Sequence, residues 1–313
     1  MSQVIQVNAL SHHYNKKLAL DNVSFSVDEG DFFCFLGPNG AGKSTTVKLL
    51  TGQLTPQSGK VMVFGKNVKT ELQEIKYHIG VLTDDMRLPK ELTVRELLEF
   101  VGRVFDYSLA QAKVACEDVL SKVELEEYAD TQIGHLSSGL ERRLGIGQAL
   151  VNPARILFLD EPTISLDPMS SREILRLIKK LHDEGVTVFY TTHLLKEIEA
   201  LCTSLAIIEH GKVVLCDSLP KLRRHAGASV EIEIINPQNN FTAANTLIRK
   251  RGWKISTVEE HTILILFPSH EAAQASLRDI VDMLQANNIL YSRVGIRQSS
   301  LEDLYSEIIL GER

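Results

Sequence analysis

The apolar run Phe32-Phe33-Cys34-Phe35-Leu36 breaks at Gly37-Pro38-Asn39-Gly40-Ala41-Gly42-Lys43-Ser44-Thr45, and no other stretch limits the fold so tightly. The break fits GxxxxGK[ST], the phosphate-binding loop of nucleotide hydrolases. Its glycines let the backbone curl so that successive N–H groups point inward at the β- and γ-phosphates. Lys43 adds a point charge on those phosphates, and the Ser44 hydroxyl suits Mg²⁺. A helix is predicted from Ser44 to about Leu50, stopped near Gly52, and its positive end faces the anion. Strand, loop and helix in that order are the context the motif requires.

The 313 residues suffice for a large core and for two domains. Hydrophobic content of 44% and charged content of 24% are those of an ordinary globular protein. The net charge is -6 with no block of like charges, which disfavours nucleic acid as a bulk partner. Cys34, Cys116, Cys202 and Cys216 are scattered without a CxxC, so metal or disulfide use is not expected and a reducing compartment fits. Cys34 and Cys216 lie in apolar strands and read as small hydrophobes. No apolar run approaches the roughly 18 residues of a membrane span, and the N-terminus does not read as a secretory signal. The chain alone reads as cytosolic, so spans would come from another subunit.

Residues 3–36 read as strands, with Val4–Val7 one and Val23–Val27 another, its apolar face at 23, 25 and 27. Val61–Phe64 is a further strand, closed by Gly65. From about 85 to 152 the pattern is helical. Thr93 with Glu96, Ser108 with Gln111 and Ser138 with Glu141 each predict a capping box, and Leu97, Leu98, Val101 and Val104 predict one buried face. Strand and helix alternate again over 154–216: Ile156–Leu159, a helix from Ser170 to Glu184, and Val186–Tyr190. Two further strands, Leu205–Ile208 and Lys212–Leu215, flank the turn His210-Gly211. Lys221–His225 reads as a basic linker. Beyond it, strands at 230–235, 263–267 and 289–296 alternate with helices at 243–251 and 271–285, near the ferredoxin-like pattern, before a last helix at 301–309. Trp253 reads as a core anchor, with an interface as the alternative.

Three further features carry chemistry. Asp160 and Glu161 stand where the apolar strand Ile156–Leu159 ends, beside the phosphate loop of a parallel sheet. Asp160 can hold Mg²⁺, and Glu161 can act as general base on the attacking water. His193, just past the strand Val186–Tyr190, can reach a γ-phosphate. Leu136-Ser137-Ser138-Gly139-Leu140 leads into a helix N-terminus, an anion site in principle.

Together with the phosphate loop, these features resemble the nucleotide-binding subunits of ABC transporters over about residues 3–220. The resemblance implies an α/β P-loop ABC ATPase in a 1–220 domain. It would have a RecA-like core, an antiparallel β subdomain and a helical subdomain at about 85–152. A small α+β accessory domain would occupy 221–313. The resemblance implies ATP and Mg²⁺. Tyr14 would stack on adenine, and Gly37, Pro38, Asn39, Gly40, Ala41, Gly42, Lys43, Ser44 and Thr45 would form Walker A. Ser137, Ser138 and Gly139 would belong to the signature. Asp160 and Glu161 would be the Walker B aspartate and catalytic glutamate. Ile164-Ser165-Leu166-Asp167 would form the D-loop, and His193 would be the switch histidine. The signature reads LSSGL, so Ser138 and Leu140 depart from LSGGQ. Asp84 stands where the family's Q-loop has glutamine; it could still reach the metal. Two such subunits would sandwich two ATP molecules, each between Walker A of one and the signature of the other. The second subunit would be another copy of this chain or a homologous ATPase.

The ending Ser300-Leu301-Glu302-Asp303-Leu304-Tyr305 resembles those of ABC-2 exporter subunits, which pair with separate multispanning permeases. The expectation is therefore an ATPase that energises export, peripheral on the inner face of the membrane through its permease. A soluble ABC ATPase acting on ribosomes or nucleic acid, and an ATP-switched regulatory module, are the alternatives. Nothing in the sequence names the cargo.

Overall fold

The computed structural model describes residues 2–15, 17–195, 199–225, 228–235, 237–259 and 261–298. The chain divides into two compact units, Met1–Cys216 and Asp217–Arg313. The first opens with β1 (Gln3–Tyr14), β2 (Lys17–Asp28), β3 (Phe32–Leu36) and α1 (Lys43–Leu50). Then come β4 (Ser58–Val63), β5 (Lys66–Asn67), α2 (Leu72–Lys76) and β6 (Ile79–Leu82). Three helices follow, α3 (Val94–Val104), α4 (Leu109–Lys122) and α5 (Ser138–Leu150). The run closes with β7 (Ile156–Asp160), α6 (Pro168–Asp183), β8 (Thr187–Thr192), β9 (Ser204–Glu209) and β10 (Lys212–Ser218).

Two sheets result. An antiparallel one has the order β2-β1-β4-β5, and a six-stranded one the order β10-β9-β3-β8-β7-β6. Strands β9, β3, β8, β7 and β6 pair in parallel. Every residue of β3, β7 and β8 is buried, which is why these strands read as unbroken apolar runs. Phe25 of β2 joins the sheets by stacking on Phe33 at 5.6 Å, and Phe33 stacks on Phe189 at 5.4 Å. His210 and Gly211 both take positive φ, as the two-residue turn between β9 and β10 demands.

Helices α3 and α4 start at the two predicted capping boxes, both fully formed. Helix α5 differs from the expectation. Its cap is Ser137, whose hydroxyl accepts from Leu140 N–H, while Glu141 turns away to pair with Lys90. On α3, Leu97 and Leu98 are buried as predicted, but Val104 is 62% exposed and Phe100 60%. That side of α3 borders an open groove with Tyr77 and Phe105 rather than the core. Cys216 is exposed because it lies on the outward side of β10, whose residues alternate along an edge strand.

The residues read as a basic linker form part of a helix, α7 (Leu219–His225). Leu219 and Leu222 are buried, and Pro220 falls in the first turn, where its missing N–H costs no helical bond. After it come β11 (Ala228–Ile234), α8 (Pro237–Lys250), β12 (Lys254–Glu259), β13 (Thr262–Phe267), α9 (His270–Ala286) and β14 (Tyr291–Gln298). Strand β12 was not predicted. With it the order becomes βαββαβ, and the antiparallel sheet runs β12-β13-β11-β14, a split βαβ arrangement. Its own core gathers Val230, Ile232, Ile263, Ile265, Ile248 and Leu284. Trp253 packs on that core and meets Phe267 edge-on at 6.4 Å. The predicted last helix and the motif at 300–305 lie outside the described residues.

Candidate active site

The phosphate loop is held by its neighbours in the sheet. Gly37 N–H donates to Thr192 O at 3.2 Å, and Gly211 N–H donates to Ala41 O at 3.0 Å. A Cβ at Gly37 would collide with the carbonyl of Ile208. Gly40 and Gly42 take φ of 80° and 115°, which bends the chain back toward α1. The loop bounds an open cavity of ≈ 390 Å³, lined also by Tyr14, Lys17, Ala19, Thr45 and Asp84.

Lys43 is 4% exposed. Its ammonium donates to the carbonyls of Gly37 at 2.8 Å and Pro38 at 3.2 Å, and pairs with Glu161 Oε1 at 2.9 Å. The other oxygen of Glu161 meets His193 Nδ1 at 3.0 Å. Glu161 therefore bridges the loop lysine and the histidine. It does so from a left-handed backbone, φ 46°, at the end of β7.

Asp160 is 1% exposed and accepts from Thr191 Oγ1 at 2.5 Å. Burial pushes its carboxyl up, bonds from Thr191 and Ser44 oppose this, and the charges of Glu161 and Asp84 add to it. Thr191 also accepts from Glu161 N–H at 3.1 Å. Sequence reasoning missed Thr191 because the strand reading stopped at Tyr190. The available signal was a buried threonine pair, Thr191-Thr192, extending an apolar strand that pairs beside Asp160.

The residues of 137–139 lie elsewhere. Ser138 lines a separate cavity of ≈ 150 Å³ with Arg142, Ser165 and Leu166. Gly139 faces α6, where a Cβ would come within 2.9 Å of Ser170 Oγ. Asp84 and Ile164 border both cavities. Asp167 caps α6, accepting from Met169 N–H and Ser170 N–H at 2.9 and 3.0 Å.

Comparison with known proteins places this geometry. The family model described as ABC transporter matches residues 20–164. The Nod factor export ATP-binding protein I of Rhizobium sp. (strain N33) is 38% identical over 243 residues, 76% of this chain and 79% of that protein. The chain belongs to the ABC transporter family. The linearmycin resistance ATP-binding protein LnrL of Bacillus subtilis (strain 168) is 35% identical over 231 residues, 74% of each. Among solved structures, that of a dimeric bacterial ABC transporter cassette superposes with TM-score 0.63 at 28% identity. It covers 69% of this chain and 98% of the cassette. The fold is accordingly that of an ABC ATPase, and this ABC transporter subunit binds and hydrolyses ATP.

Proposed function

We propose that the cavity at the phosphate loop is the hydrolysis site, and that its turnover energises export through a separate multispanning permease. The observation that carries this reading is Glu161, poised between Lys43 and His193 at the loop. An arriving γ-phosphate competes with Glu161 for the Lys43 ammonium, since both are anions at one cation. Release of Oε1 frees the carboxylate to take a proton from water. The water oxygen bonds to the γ-phosphorus, the bond to the bridging oxygen breaks, and ADP leaves. His193 keeps the remaining carboxylate oxygen oriented.

The oxygen donors Ser44, Asp160 and Asp84 fit Mg²⁺: they are hard ligands around a buried carboxylate that burial makes costly to ionise alone. Mg²⁺ there would neutralise phosphate charge. Tyr14, 45% exposed at the cavity wall, stacks on adenine. Ser137, Ser138 and Gly139 serve the nucleotide of a second subunit, presenting the N-terminus of α5 to its γ-phosphate. That Ser138 lines a second cavity and not the one at the phosphate loop supports that reading, as does the dimeric cassette among the solved structures.

The groove between α3 and β6, ≈ 550 Å³ with Phe100, Val104 and Tyr77 exposed, supports docking of an apolar permease segment. Among the described residues no helix is long and apolar enough to cross a membrane. Docking on the permease through this groove would hold the subunit at the inner face. The unit from residue 217 onward acts as an accessory domain. Both relatives compared above carry ATP-binding names, one tied to Nod factor export and the other to linearmycin resistance, which supports export as the direction.

Affinity purification from detergent-solubilised membranes, followed by mass spectrometry, tests the assembly. A stoichiometric multispanning protein is expected, and Phe100→Glu with Val104→Glu should lose it while still binding ATP. Ribosomal proteins or nucleic acid in its place would overturn the export reading.

A further inference from the structure

Strand β1 ends in His12-His13-Tyr14, and His12 has no part in the chemistry above. It is 5% exposed, and its Nδ1 is buried with no hydrogen-bond partner. Burying an unpaired ring nitrogen is unfavourable. Burial and the neighbouring His13 both push the imidazole down.

What His12 touches is Tyr14. The ring centroids are 5.1 Å apart at 79°, an edge-to-face contact. Residues two apart in a strand share a face, so the contact follows from the strand itself. Among the described residues His12 is the one ring against Tyr14. The strand end is fixed from the other side as well. His13 N–H donates to Gln57 Oε1 at 2.7 Å, and Gln57 Nε2 donates to His13 O at 3.0 Å. Tyr14 itself is the last residue before a turn at Asn15, which takes φ 54°. An exposed ring at a strand end has rotamers to lose on binding, and a fixed neighbour removes that loss in advance.

We propose that His12 is a positioning residue that holds the Tyr14 ring in the orientation that receives adenine. This rests on the reading of Tyr14 as the adenine platform. The backbone clamp from Gln57 sets where the ring begins, and the imidazole edge sets where it points.

The test uses the full-length chain with Mg²⁺ and compares affinity for ATP with affinity for inorganic tripolyphosphate, which has no base. Base–aromatic stacking predicts that Tyr14→Ala weakens ATP binding by roughly tenfold. His12→Leu keeps the volume but loses the aromatic edge, and should weaken ATP binding by roughly fivefold, while His12→Phe stays within about twofold of the parent. The double variant His12→Leu, Tyr14→Ala should bind ATP no worse than Tyr14→Ala alone, because the two act through one ring. Tripolyphosphate binding should not change in any of them. Parent-like ATP binding by His12→Leu, with Tyr14→Ala weakened, would overturn the role of His12 and leave the platform standing. Parent-like binding by Tyr14→Ala would remove the platform and the inference with it. Equal loss of ATP and tripolyphosphate in His12→Leu would mark general damage to the site and also overturn it.

Discussion

Glu161 holds two cationic or proton-bearing partners from a backbone conformation that a glutamate rarely adopts. That strain is supported by Thr191, which anchors Glu161 N–H and Asp160 Oδ1 through one hydroxyl. Thr191→Val keeps the shape and removes both bonds. It should cost about 1–3 kcal/mol of stability and lower ATP turnover about tenfold, read by thermal melting and phosphate release. Unchanged turnover would mean that Asp160 and Glu161 orient themselves. That the phosphate loop, Asp160, Glu161 and His193 come together was legible in the sequence, because each motif stands at a strand end of one sheet; their roles are those proposed above. Thr191 and His12 were not legible, because their roles depend on register and on one ring contact, and neither is encoded in local spacing.

Helix α5 shows what element-level reading reached and where it stopped. Its start near Ser138 is as predicted, but the cap was read one residue late: either serine can cap, and the backbone of Ser137, with φ -70° and ψ 161°, decides which does. The linker reading at 221–225 failed for a related reason, since charge marked the segment while Leu219 and Leu222 set its burial. Within the helical lobe, Arg143 of α5 donates to Glu124 at 2.8 Å and to Glu173 at 2.9 Å. The Arg143 bond holds the Glu124 carboxyl below the usual glutamate range. A carboxyl lowered by folding stabilises above its unfolded pKa, and that contribution disappears as pH falls through its folded value. Because Glu124 is half exposed and water screens the pair, Arg143→Met should cost about 1 kcal/mol at neutral pH, with the deficit shrinking below about pH 4 in urea unfolding. A deficit that stays constant with pH would assign the loss to packing. Close packing of α5 on β6 gives a second check. A Cβ at Gly80 would collide with the carbonyl of Ala149, so Gly80→Ala should lower stability by about 1–3 kcal/mol in the same assay. A parent-like melting curve would show that the backbones can separate there.

At the scale of the whole molecule, the two compact units each close a hydrophobic core. The α/β class of the first was legible from apolar runs alternating with helical spacing. The second was legible in outline only, because Lys254–Glu259 mixes polar and apolar residues as an edge strand does and carries no strong run. Since the first compact unit ends at Cys216 and its last strand, β10, at Ser218, a chain ending after Ser218 should fold and bind ATP within about threefold of the full chain, by calorimetry. Failure to fold would make the second unit part of the ATPase core. In the proposed mechanism Glu161 is the base that turns ATP binding into hydrolysis. Its most direct test measures phosphate release and ATP binding together in the full-length chain and in Glu161→Gln. Glu161→Gln should lose at least about a hundredfold in turnover and keep ATP binding. Turnover at the parent rate in Glu161→Gln would contradict that mechanism.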